Sequence, residues 1–246
     1  MRPTATRGDA LAELNQYTLQ SIVNLQQFID TRVLLQCYMN TYQVVCKATD
    51  GEHGGSGVLF VSRGKYYVLT ASHVVMTEPD TIASLRSRLG EPAVLNTATK
   101  VRGTITVHDY AGTELSAKLV YWLRQFDLAL LLVDEPAKVR SETVCQLTIE
   151  NPALNDRLFL CGRLWKNGAL VREARVHKHK PRVTMSSSFL ALNFIEVNER
   201  IIPGFSGGPV FTSEGRLAGI VCSTDNLHAY FTHPTSIVAL LEKFDV

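Results

Sequence analysis

The chain has 246 residues, enough for one large domain or two small ones, and its composition, 46% hydrophobic and 20% charged, excludes wholesale disorder. A net charge of +2 gives no electrostatic footprint for a nucleic acid or other polyanion partner. No run of about 18 apolar residues marks a membrane-spanning helix, and residues 1–9 are polar where a secretory leader would be apolar.

Residues 9–36 carry helical periodicity. Leu11, Leu14, Thr18, Ile22, Leu25 and Ile29 recur at spacings of three and four, Val33 continues the face, and Asp9 is placed to cap it. The helix is expected to brace the body of the protein; the alternative is a surface for a homo-oligomer or a partner protein. Strand patterns follow at 42–48, 58–61, 66–71, 103–108, 115–121 and 128–133, with turn residues such as Arg63-Gly64-Lys65 between them. Residues 77–101, with a helix-like piece at 81–89, form a long connection of the kind that often serves function or regulation. Residues 136–141 read as a linker. A second strand set lies at 144–147, 157–161, 170–177, 191–197, 208–211, 217–222 and 229–232, and Pro234 introduces a helix at 235–244. The run His177-Lys178-His179-Lys180 is read as a solvated hairpin tip rather than a metal or nucleic-acid patch. No metal and no cofactor is expected.

Three strings carry chemistry. In Gly204-Phe205-Ser206-Gly207-Gly208-Pro209 a serine sits between glycines that let backbone approach a substrate closely. The N–H groups of Gly204 and Ser206 are candidates to converge on one oxygen as an oxyanion hole. The bland reading of the same string is a flexible loop. Val68-Leu69-Thr70-Ala71-Ser72-His73 is an apolar run ending in histidine. In Phe126-Asp127-Leu128-Ala129-Leu130-Leu131 one aspartate opens a buried-looking strand, costly unless something hydrogen-bonds it, and an imidazole N–H suits that role. The order His73, Asp127, Ser206 is one of the chain orders in which a Ser-His-Asp acyl-transfer triad occurs.

These strings resemble the three signature blocks of trypsin-like serine peptidases. Gly54-Gly55-Ser56-Gly57-Val58 and Gly215-Arg216-Leu217-Ala218-Gly219 are similar to the strands flanking them. The resemblance runs from about Tyr42 onward and is nearest to the bacterial high-temperature-requirement (Deg) branch and related intracellular or viral enzymes. It implies an all-β fold of two antiparallel six-stranded β-barrels, the chymotrypsin-like double barrel, with an N-terminal helical extension at 1–40 and a short C-terminal helix. Residues 41–135 are then the first barrel, with His73 and Asp127. Residues 136–246 are the second, with Ser206.

The resemblance implies a serine endopeptidase acting on protein or peptide substrates, with a protease-like peptide-binding module as the alternative. Where trypsin-like zymogens carry an aspartate before the serine, this chain has Phe205, so activation by pairing with a new N-terminus is not expected. Arg200, Ile201, Pro203, Cys222, Ser223, Thr224 and Ala229 fall where the family lines its specificity pocket. Without a carboxylate at the pocket base, small to medium apolar side chains before the cut are expected, with an acidic side chain drawn by Arg200 as the alternative. His228 is read as an exposed loop residue. The five cysteines form no C-x-x-C pair, and none lies in sequence near His73 or Ser206, where secreted members place disulfides. Reduced, core-filling thiols and a cytoplasmic location are expected.

Overall fold

A computed structural model of the chain describes residues 30–48, 51–76, 101, 103–164, 168–186, 189–225 and 227–246. The expected cap at Asp9, the helix over 9–29 and the 77–100 connection lie outside the described residues.

Helix α1 covers 30–40. Strands β1 (Thr41–Ala48), β2 (Gly51–Ser62), β3 (Lys65–Ala71), β4 (Thr104–His108), β5 (Glu114–Leu123) and β6 (Leu128–Val133) close a barrel in the order β1-β2-β3-β6-β5-β4. A four-residue helix, α2 (Ser72–Val75), follows β3 directly. Strands β7 (Arg157–Leu164), β8 (Gly168–Ser186), β9 (Phe189–Val197), β10 (Pro209–Thr212), β11 (Leu217–Thr224) and β12 (Ala229–Thr232) close a second barrel in the order β10-β11-β12-β9-β8-β7. Helix α3 (Pro234–Phe244) ends the chain. Every paired strand is antiparallel to its neighbour.

The period-2 alternation of the strands divides their side chains between two jobs. In β6, Ala129, Leu131 and Val133 fill the first barrel with Leu59 and Val68. Leu128 and Leu130 point the other way, into a seam shared with Phe159, Cys161, Phe211 and Ile220 of the second barrel. Leu158, Leu160, Val210 and Val221 fill the second barrel. A run such as Leu128–Val133 is therefore apolar throughout because both its faces are covered. Each fully buried Leu or Phe contributes about 1.5–3 kcal/mol.

Val33 and Cys37 set α1 into the same seam. Its first described turn is tied down by Asp30, which takes two hydrogen bonds from Arg157 at 2.7 and 3.2 Å, and its side by Gln36 Nε2 donating to the Gly215 carbonyl at 2.7 Å. The buried Arg163 guanidinium donates to the carbonyls of Tyr38 and Thr41, satisfying backbone acceptors that the helix end leaves over. The described part of the helix thus braces the second barrel. At the other end, His233 caps α3, Pro234 opens it, and Phe244 packs on Tyr67 and Tyr121 of the first barrel.

Two expectations are corrected. Residues 144–147 form no strand; Cys145 makes only an isolated bridge to Phe60, so the connection between barrels extends past the expected linker at 136–141. His177–Lys180 is not a hairpin tip but the middle of the 19-residue strand β8. All five cysteines are free and buried. No helix among the described residues is long and apolar enough to cross a membrane.

Candidate active site

Asp127 terminates a 3-10 turn, Arg124–Phe126, in a left-handed conformation (φ 51°) immediately before β6. Its carboxylate is 1% exposed and is met by three donors. Ser72 Oγ donates to Oδ1 at 2.8 Å, the His73 backbone N–H to Oδ1 at 3.0 Å, and His73 Nδ1 to Oδ2 at 2.7 Å. These bonds offset the burial that the sequence flagged as costly. An acceptor carboxylate at Nδ1 keeps the imidazole proton there and leaves Nε2 with a lone pair. Helix α2 begins where it does because Ser72 N–H bonds the Asp127 carbonyl at 3.1 Å, which aligns the end of β3 with the start of β6.

Ser206 lies in the loop between β9 and β10. Residues 202–205 make a type II β-turn, with Phe205 N–H on the Ile202 carbonyl at 3.3 Å, Pro203 at its second position and Gly204 (φ 99°) at its third. Relative to a type I turn, this reverses the central peptide, whose N–H belongs to Gly204. Gly207 (φ 84°) and Gly208 then donate to Val221 and Phe205. Among the described residues, the N–H groups of Gly204 and Ser206 have no protein acceptor.

The first barrel holds this loop. Ser56 N–H donates to the Ser206 carbonyl at 2.7 Å, Ser56 Oγ donates to the Gly204 carbonyl at 2.6 Å, and Arg163 N–H donates to Ser56 Oγ at 2.7 Å. Gly55 lies between the Ser206 carbonyl and Val74 of α2; a Cβ there would stand 2.5 Å from the first and 2.7 Å from the second. A Cβ on Gly207 would stand 2.2 Å from Thr70 Oγ1 and 3.0 Å from Ala71 N. The serine loop is therefore seated against the residues that lead into His73. Phe205 is fully buried in the second barrel, on the bare face of Gly162.

The residues assigned to the specificity pocket do not share one environment. Ile201 (7% exposed) and Ala229 (0%) belong to the second barrel's core, and Arg200, Pro203 and Thr224 are exposed. Ser223 and Thr224 pair with Tyr230 and Ala229 across β11 and β12. Cys222 is the extra residue of a β-bulge between Val221 and Ser223, and it lies beside Asp127. Burial pushes its thiol well up, and the Asp127 charge adds to the effect. His228 is only partly exposed and faces Glu196 and Asp225.

The sequence carries no local signal for Ser56 as the support of Gly204 or for Ser72 as a donor to Asp127. Each depends on which strand lies beside which.

A serine loop buttressed across the seam of two closed barrels, beside a His–Asp pair, defines the trypsin-like peptidase class. The chain belongs to that family: the sequence model of the trypsin-like peptidase domain matches residues 55–220. It is similar to the serine protease Do-like HtrA of Bacillus subtilis, 30% identical over an alignment of 187 residues, which covers 70% of this chain and 34% of that protein. The chain thus spans about a third of the length of this curated relative. Among solved structures, a protease from M. tuberculosis in its active form superposes with a TM-score of 0.66 at 15% identity, covering 88% of this chain and 85% of that one. A serine endoprotease from Yersinia pestis gives 0.63 at 20% identity, covering 87% and 65%. At such identities the likeness to solved structures is one of fold.

Proposed function

We propose that the chain is a serine endopeptidase that hydrolyses peptide bonds in protein or peptide substrates. Ser206 is the nucleophile, His73 Nε2 takes its proton during attack and returns it to the leaving amine, and Asp127 holds the imidazole and stabilises the imidazolium. The N–H groups of Gly204 and Ser206 receive the developing oxyanion. The observation that carries this reading is the Pro203–Gly204 turn, whose positive φ at Gly204 leaves that N–H without a protein acceptor among the described residues, on the loop that presents Ser206.

Ile201 and Ala229, both buried and apolar, support a preference for small to medium apolar side chains before the cut. Hydrophobic pockets separate neighbours by only about 1–3 kcal/mol per methylene, so the profile is broad. Phe205, buried where a charge would be needed, supports activity without N-terminal processing. Five buried free thiols support a reducing, cytoplasmic setting. Leu34 and Leu35, exposed on α1, are the surface for self-association or a partner protein.

The test is labelling with a fluorophosphonate beside hydrolysis of a peptide library. Ser206→Ala abolishes both. His73→Ala reduces turnover about as much as Ser206→Ala, because triad members act as a unit. Wild-type protein that takes up no label and cuts nothing, yet retains peptides, is a binding module instead.

A further inference from the structure

We propose that His177, Glu196 and His228 form a binding site for a divalent transition-metal cation of the zinc class, which clamps the turn holding Asp225, Leu227 and His228 onto strand β8. The three residues come from β8, β9 and the loop between β11 and β12. His177 is the extra residue of a β-bulge between Val176 and Lys178, and such bulges re-aim a side chain. Its imidazole stacks on that of His228 with centroids 5.2 Å apart and planes 13° from parallel. Glu196 has a 4% exposed side chain, and its Oε1 lies 3.7 Å from the Nε2 of both histidines. One ligand atom from each residue falls within 4.8 Å of the other two.

A separation of 3.7 Å is too long for a hydrogen bond. It suits a shared ion: zinc takes imidazole nitrogen at about 2.0–2.1 Å and carboxylate oxygen at about 2.0–2.2 Å, which sets neighbouring ligand atoms in a tetrahedral shell about 3.4 Å apart. The site also has outer support. The other nitrogen of His228, Nδ1, faces Asp225 Oδ1 at 3.8 Å, beyond hydrogen-bond reach, so this carboxylate places negative charge behind the ligand without bonding it. Asp225 is itself fixed by the N–H groups of Leu227 and His228 and by the Tyr230 hydroxyl. Lys180 occupies Glu196 Oε2 and leaves Oε1 to the ion. His177 is 56% exposed, so the site has an entry path, and two histidines with one carboxylate leave a fourth position for water. Ala229, next in the chain to His228, carries the clamp to the start of β12.

The experiment is calorimetric titration of the metal-stripped full-length chain with zinc chloride, with hydrogen exchange of Asp225, Leu227 and His228 followed in parallel. One zinc per chain is expected, with slowed exchange in the loop. His177→Ala and His228→Ala each weaken binding by more than about tenfold, and Asp225→Asn by about tenfold through loss of the outer carboxylate. His73→Ala leaves binding unchanged, which separates this site from the proposed catalytic histidine. His177 is exposed enough that its removal does not threaten the fold, and circular dichroism checks this. Absence of binding up to millimolar zinc, or binding unaltered in both histidine variants, overturns the proposal. None of these readouts depends on proteolysis.

Discussion

The hydroxyl of Ser56, in the first barrel, donates to the carbonyl oxygen of Gly204, in the second, at 2.6 Å while accepting the Arg163 N–H at 2.7 Å. One buried side chain thus joins β2, β7 and the turn that orients the Gly204 peptide. Ser56→Ala leaves the Arg163 N–H and the Gly204 carbonyl without this partner, at a cost of about 1–3 kcal/mol each where buried. With the proposed catalytic role, the expected result is a fall in kcat of about tenfold or more with a smaller change in KM, because the turn is used in the transition state. Steady-state kinetics with a fluorogenic peptide, beside urea unfolding, measures both parts; an unchanged kcat removes Ser56 from the support of the site.

Gly162→Ala acts on the same loop from beneath. The new Cβ would stand 2.6 Å from Phe205 Cγ and 2.8 Å from Phe205 Cα, so the residue next to Ser206 must move. Overpacking of this kind costs about 1–3 kcal/mol. The midpoint of urea unfolding should drop and fluorophosphonate labelling should slow, with partial recovery when Phe205→Leu is added.

The thiols should be silent in the native state. Burial pushes Cys145 up to about 12 and Cys161 and Cys222 well above the ordinary thiol range. All five thiols are buried, so a disulfide reagent at pH 8 should find none of them in the folded protein and all five after denaturation. Prompt labelling of any one without unfolding contradicts the described packing.

Acid should loosen the turn holding Asp225, Leu227 and His228 late. The Tyr230 hydroxyl and two backbone N–H groups hold the Asp225 carboxyl down at about 2. A carboxyl depressed on folding adds stability that is full above its unfolded value near 3.9 and is lost as pH falls through about 2. The side chain is 48% exposed, so solvent screens the effect and the loss should be small and local. Carbon-detected NMR of the Asp225 carboxyl through this range tests it; a midpoint near 4 excludes the bond network.

The strings around His73, Asp127 and Ser206 point to the family because each packs its signature into a few neighbouring residues. The strands were legible too, and 128–133 and 229–232 match the observed bounds, since alternation and turn residues are local signals. Residues 144–147 misled because apolar content there serves the seam, through Cys145, rather than a ladder. Ser56 and Cys222 were opaque for another reason. Their partners lie in distant segments, and a bulge that no residue type announces places Cys222 beside Asp127. The His177–Glu196–His228 cluster depends on a second such bulge.

The two flanking helices cross over. Helix α1, which precedes the first barrel, is fastened to the second through Asp30 and Arg157; helix α3, which follows the second, is fastened to the first through Phe244 and the Asp245–Arg63 ion pair. Neither barrel can melt without stripping a strap from the other. Denaturation should therefore register as one calorimetric transition, and any hinging that widened the cleft would have to slacken both straps.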